Sequence, residues 1–147
     1  QLDFSAEDEA FRNEVARWMA EHLRGDFECL RHRGGPGDED AYPAERKAWE
    51  KELAAGGWTC VGWPREYGGR GLSLARQIIF HEEYARAGGP GRMGHIGEGL
   101  IGPTLIALGN AEQCAVAWSD HLTRFDAAGE HQPGRRRADG EPSDAGV

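Results

Sequence analysis

The sequence predicts an all-α domain of four to five helices in a bundle-like arrangement, followed by a disordered carboxy-terminal tail. Three observations carry this. Apolar residues recur at helical spacing behind capping signals, no stretch sustains the alternation of a β-strand, and from Asp126 to Val147 there is no Leu, Ile, Met, Phe, Tyr or Trp. Such a tail cannot bury enough apolar surface to offset the entropy of ordering it. At 147 residues the chain has the length of one domain.

The first helix opens at Ser5, where Ser5-x-x-Asp8 is a capping signal and Phe11, Val15, Trp18 and His22 share one face. Arg24 to Asp40 mixes charges with Gly34, Gly35, Pro36 and Gly37 and predicts a mobile loop. A second helix is expected over Pro43 to Ala55, with proline in its first turn, Trp49 and Leu53 one turn apart, and Gly56-Gly57 as its stop. Residues 58 to 73 carry apolar Trp58, Val61 and Trp63, but Pro64, Gly68, Gly69 and Gly71 forbid a regular element. A buried, then turning, connection results.

Ser73 is the expected N-cap of a third helix in which Leu74, Ile78, His81 and Ala85 share a face, widened by Ile79 and Phe80 into a mostly interior element. Gly88, Gly89 and Pro90 end it. The next segment is apolar yet holds glycines at 91, 94, 97, 99, 102 and 109 and a proline at 103. Each glycine inside a helix costs about 0.5–1 kcal/mol relative to alanine, so close backbone approach is the expected compensation. Ala115, Trp118, Leu122 and Phe125 are spaced for one more amphipathic helix, over 114–125.

Composition excludes several functions. A net charge of -8 opposes binding to a phosphate backbone, which relies on Lys and Arg, and excludes nucleic acid as a partner. It also argues against this segment gripping a polyanionic ligand unaided. Cys29, Cys60 and Cys114 are odd in number and far apart, which fits a reducing cytoplasm better than a disulfide framework or a zinc site. No apolar run approaches the roughly 20 residues of a membrane span, and the acidic start QLDFSAEDEAF is unlike a signal peptide. Because residue 1 is Gln, sequence upstream is expected to be missing.

The motif search gives mostly exclusions. Gly89 to Gly94 and Gly97 to Gly102 both fit GxGxxG as text, but neither follows a strand and opens a helix, so a dinucleotide fold is not supported. No Gly-Lys pair exists for a phosphate loop. His81-Glu82-Glu83 starts like a zinc-protease helix, yet Ala85 stands where the second histidine is needed, and no metal site is expected. Ser73, Ser119 and Ser143 lack the context of an activated nucleophile. Glu98 is the one acidic residue inside the glycine-lined apolar segment. A partly buried carboxyl of raised pKa and a carboxylate at a helix end or facing solvent are both open there. The cluster Arg135-Arg136-Arg137 is offset by acidic neighbours and reads as solvated.

One string is specific. Gly62-Trp63-Pro64-Arg65-Glu66-Tyr67-Gly68-Gly69-Arg70-Gly71-Leu72-Ser73 resembles the signature loop of acyl-CoA dehydrogenases, whose usual form is W/P-x-E-Y-G-G-x-G. Ile78 to Arg86 resembles the helix after that loop, and Gly94 to Leu105 the next segment, so the likeness covers about residues 2–113. The resemblance implies an amino-terminal helical domain of a flavoenzyme. In that family a glutamate removes the α-proton of an acyl-CoA thioester while the β-hydrogen leaves as hydride to FAD. The base and most FAD contacts come from domains absent here, so this chain is expected to carry no catalytic residue and to be inactive alone. By position, Gly97, Glu98, Gly99 and Leu100 would form a wall of the acyl pocket. The implied partners are an acyl-CoA substrate, an electron-transferring flavoprotein or similar acceptor, and further subunits of a homo- or hetero-oligomer.

Beyond Gln113 the likeness and the core-forming composition stop together, which predicts a frameshift or premature end near that point. Glu141-Pro142-Ser143-Asp144 echoes the family's later flavin-contacting stretch only superficially. Two further readings are a noncatalytic helical module that binds a partner through an apolar face near Trp58, Trp63 and Phe80, and one half of a split dehydrogenase.

Overall fold

The computed structural model of the chain describes residues 4–116. Those residues are helical, without strands, as the periodicity predicts. Helix α1 spans Ala6–His22. Its start is a reciprocal cap: the Asp8 amide donates to Ser5 Oγ at 3.1 Å, and the Ser5 amide donates to an Asp8 carboxylate oxygen at 3.1 Å. Phe11, Val15 and Met19, at successive fourth positions, enter the core with Leu23 just beyond. The buried face is therefore rotated from the one expected. Trp18 and His22 sit on its flank, stacked with ring centroids 4.1 Å apart, and His22 pairs with Glu52 at 2.7 Å.

The segment expected to be a mobile loop is organised. A 3-10 turn over Gly25–Leu30 carries Leu30 into the core. Arg31 donates to the carbonyls of Leu23 and Ala87, the His32 amide donates to Gly88 O, and Arg33 forms a forked pair with Asp38. The buried Arg46 guanidinium then donates to the carbonyls of Gly34 and Gly91. The partners Ala87, Gly88 and Gly91 lie far away in sequence, so local periodicity carries no trace of them.

Helix α2 spans Pro43–Ala55, with the expected bounds. It buries Trp49 and Leu53, and on the same face Arg46 and Glu50. Helix α3 spans Leu74–Arg86, capped by Ser73 Oγ accepting from the Arg76 amide. Of the apolar side expected for α3, Ile79 and Phe80 face the core, but the Leu74–Ile78–His81–Ala85 stripe does not. Ile79, Phe80, Glu83 and Tyr84 are buried, whereas Leu74, His81 and Ala85 are exposed. The helix is half-buried because it packs against α1 on one side, and its carboxylate Glu83 is tolerated there by Arg12 at 2.8 Å and Arg86.

The core is aromatic. Trp58 lies flat on Phe80 with centroids 5.6 Å apart, and Phe11 and Trp18 each approach Trp58 to 6.0 Å. Trp49 donates its indole N–H to Tyr84 Oη, which donates in turn to Pro90 O.

From residue 95 the glycine-rich segment is helical despite its glycines. It widens into a π turn over Gly97–Ile101 and continues as α4, Gly102–Leu108. The Gly102 amide reaches back to Gly97 O. That wider turn shifts the register directly before Pro103, where an ordinary α-turn would lose a bond and meet the proline ring.

A further helical stretch starts at 111 and is described to 116, with Asn110 and Gln113 bonding each other's backbone amides. The remainder of the helix expected over 114–125 and the tail at 126–147 lie outside the described residues. Among those described, no helix is long and apolar enough to cross a membrane.

Candidate functional site

The loop from 60 to 73 is shaped by its own backbone. Trp63 N–H donates to Cys60 O, Gly71 N–H to Trp63 O and Leu72 N–H to Val61 O, at 2.9, 2.8 and 3.0 Å. Gly68 and Gly71 hold φ of 83° and 61°, the left-handed region in which a side chain is strained. At Gly69 a Cβ would overlap the Trp63 carbonyl. Three glycines of the signature are thus required by the turn itself, and the Trp63 ring of that turn lies against α4.

There it meets Gly102, whose missing Cβ makes room for the indole. Trp63 also donates its indole N–H to Glu98 O at 2.9 Å. Close backbone approach therefore explains the glycine at 102. It does not explain Gly97 or Gly99, where a Cβ would meet nothing within 4 Å.

Glu98 is the organising carboxylate. Its Oε1 accepts from the Cys60 amide at 2.6 Å and its Oε2 from Arg92 at 2.5 Å. Arg92 also donates to both oxygens of Glu50 at 2.8 and 3.0 Å, and Glu50 accepts from the Met93 amide at 2.9 Å. The result is a carboxylate–guanidinium–carboxylate chain that ties α2 to the π turn and the turn to the loop. Burial works against the charge on Arg92, but Glu50 and Glu98 more than offset it, and its pKa lies above the ordinary guanidinium value. Burial also pushes the Cys60 thiol above its usual range, so it is a poor nucleophile at neutral pH.

Between loop and helix lies a cleft of about 380 Å³. The loop side is Cys60 to Pro64, the floor includes Gln77 and His81 of α3 with Arg92, and the helix side is His95, Glu98, Gly99, Pro103 and Ile106. Its size and mixed lining are those of a small-molecule site. His81, exposed as a whole residue, is partly desolvated where it borders the cleft, which lowers its pKa.

The four residues expected to form a wall fall out as follows. Glu98 and Gly99 line the cleft. Gly97 is half-buried in the first residue of the π turn, and Leu100 points outward with 66% of its surface exposed. Sequence reasoning missed Glu50, Arg92 and Gln77. Glu50 and Arg92 are long polar residues in ordinary contexts, and the one available signal was that Glu50 shares a helix face with Trp49 and Leu53.

The apolar face expected near Trp58, Trp63 and Phe80 is absent, because all three are buried. Large apolar residues are exposed instead along the π turn and α4: Ile96, Leu100, Ile101 and Leu108. Among the described residues no group of three or more side chains is placed to hold a metal ion.

Comparison with known proteins follows the same part of the chain. The family described as Acyl-CoA dehydrogenase, N-terminal domain, matches residues 5–119, somewhat past Gln113. Acyl-CoA dehydrogenase IpdE1 of Mycolicibacterium smegmatis is 55% identical over 103 residues, 70% of this chain and 26% of that protein. IpdE1 of Mycobacterium tuberculosis is 53% identical over 105 residues, 71% of this chain and 27% of that protein. The chain thus spans about a quarter of the length of these curated relatives. Among solved structures, the Tcur3481-Tcur3483 steroid ACAD superposes with a TM-score of 0.67 at 28% identity, covering 85% of this chain and 31% of that one. The ChsE4-ChsE5 complex from Mycobacterium tuberculosis gives 0.62 at 26% identity, covering 82% and 30%.

Proposed function

Because this chain belongs to the acyl-CoA dehydrogenase family, whose amino-terminal domain it matches, we propose that it supplies one wall of the pocket in which an acyl-CoA thioester is desaturated at its α,β bond. The observation that carries this reading is the open cleft between the signature loop and the π turn, held in shape by Glu98. The wall is proposed to run through Gly97, Glu98, Gly99 and Leu100, with Gly99 and Glu98 nearest the acyl group. Likeness to a steroid ACAD supports a ring-bearing acyl group as the substrate class.

Flavin, when bound, accepts the hydride leaving the β-carbon. The cleft residues do not fit FAD by themselves. Arg92, the guanidinium in its lining, is neutralised by Glu50 and Glu98, and the nearby Cys60 amide already bonds Glu98. A pyrophosphate would find no uncommitted cation there. The flavin site and the base that takes the α-proton are therefore proposed to lie in the part of the relatives that this chain does not span, and the chain to be inactive alone. We place its action in the cytoplasm, with an electron-transferring flavoprotein or similar acceptor. Further subunits are proposed because the ChsE4-ChsE5 relative is a complex.

A second reading is favoured by the exposed Ile96, Leu100, Ile101 and Leu108: a noncatalytic helical module, or one half of a split dehydrogenase, that docks a partner along α4. The visible spectrum of the purified chain separates these readings. A colourless protein that binds an acyl-CoA in calorimetry supports the pocket-wall role. Stoichiometric yellow FAD would overturn the inactive-wall reading, and absence of binding to an acyl thioester of pantetheine, which lacks the CoA phosphates that the paired Arg92 is not free to hold, would favour the module.

A further inference from the structure

We propose that Pro103 is a positioning residue of the cleft. Together with the π turn before it, the proline frees the Glu98 carbonyl from its own helix and leaves it to the indole of Trp63, which fixes how closely the signature loop lies against the helix. The role does not depend on what the cleft holds.

A carbonyl inside a helix accepts from the amide four residues on, or five residues on in a π turn. For Glu98 those positions are Gly102 and Pro103. The Gly102 amide bonds Gly97 O instead, and proline has no N–H to give. Glu98 O is thus left without a donor from its own helix. A part-buried carbonyl in that position needs a partner from elsewhere, and the Trp63 indole N–H supplies it at 2.9 Å.

The same residue holds the start of the loop. Cys60 has a left-handed φ of 51°, which a side chain disfavours, and its amide donates to the Glu98 carboxylate at 2.6 Å. Main chain and side chain of Glu98 therefore tie down two loop residues at once, one of them strained. Trp63 belongs to the loop side of the cleft and Pro103 to the helix side. An amide at position 103 would compete for Glu98 O in the π register; in the α register it would bond Gly99 O while Gly102 took Glu98 O. Either way the indole loses this acceptor, so the proline acts on the loop through Glu98.

Proton–nitrogen spectra of the 147-residue chain and its Pro103→Ala variant test this. Pro103→Ala should move the Trp63 indole N–H resonance and lower its protection from exchange about two- to tenfold, the scale of one lost hydrogen bond. The indole of Trp49, bonded to Tyr84, should stay where it is. A second measurement is a stability cycle with Trp63→Phe, which keeps a ring and removes the donor. Pro103→Ala should be more favourable in the Trp63→Phe background than in wild type, because the new amide takes a carbonyl that is otherwise orphaned. The coupling expected is at least about twofold in the unfolding equilibrium constant. An unmoved Trp63 indole in Pro103→Ala overturns the proposal, and so does additivity in the cycle. Displacement of the Trp49 indole together with that of Trp63 would show a rearranged core, and overturns it as well.

Discussion

The buried chain Glu50–Arg92–Glu98 makes the sharpest demand on the fold. Glu50 is 2% exposed and Arg92 14%, so neither charge is well solvated. Glu50→Gln keeps the shape and one acceptor oxygen for the Met93 amide, but it removes the charge opposite a guanidinium that remains ionised. Removing one partner of a buried pair costs about 3–5 kcal/mol. Because Glu98 still partners Arg92 at 2.5 Å, the lower end applies, about 3 kcal/mol. For a chain of 147 residues, that lowers Tm by roughly 6–12 °C. Thermal and urea unfolding followed by circular dichroism would read the loss, with the urea slope unchanged if only the native state is affected. Glu98→Gln and the double variant complete a cycle, and a coupling of about 0.5–3 kcal/mol is expected because both carboxylates share Arg92. A loss below about 1 kcal/mol, the scale of a surface pair, would refute the argument. So would strict additivity of the two changes.

Three further outcomes are expected. Gly102→Ala drives a methyl into the Trp63 indole, so it should cost about 1–3 kcal/mol and displace the indole N–H resonance of Trp63 in a proton–nitrogen spectrum; an unmoved resonance would contradict the packing described. Asp38 is held down to about 2 by Arg33 and the Gly34 amide. A carboxyl whose pKa is depressed on folding contributes stability above its unfolded value of 3.8, lost as pH falls toward 2. Protection factors of amides in the 33–41 segment, corrected for intrinsic exchange, should therefore fall between about pH 4 and 2 in wild type, while in Asp38→Asn they should be low already at neutral pH. Finally, Leu100→Gln with Leu108→Gln should reduce self-association in sedimentation without lowering Tm, because the two side chains are 66% and 83% exposed. Unchanged association would show that this face is not the sticky one.

Helix existence was legible from the sequence because its causes are local. Ser5 and Asp8, Ser73, Pro43 and Gly56 are short-range signals, and the bounds of α2 follow from them. The signature string at 62–73 likewise declared the family before any geometry was known, since a tight glycine turn is specified by residues adjacent in sequence. Which side of a helix faces inward was less legible. Apolar residues surround α3 widely enough that two faces compete, and the choice of Ile79, Phe80 and Tyr84 over Leu74 and Ile78 was made by α1 lying across it.

The site divides in the same way. Glu98 stood out as an acidic residue in an apolar stretch, but composition alone left open what would hold it. Tertiary structure decided that, by bringing to it the Cys60 amide and Arg92, which Glu50 of α2 holds in turn. It also decided that glycines of identical appearance in the sequence do different things. Gly102 yields to Trp63, whereas Gly99 stands beside open space, because a missing side chain acquires meaning only from what lies opposite. Local chemistry determined the helices, turns and family of this protein. Charge pairing, helix facing and the shape of the cleft depend on contacts between residues distant in sequence, and those are fixed only when the aromatic core around Trp58 closes.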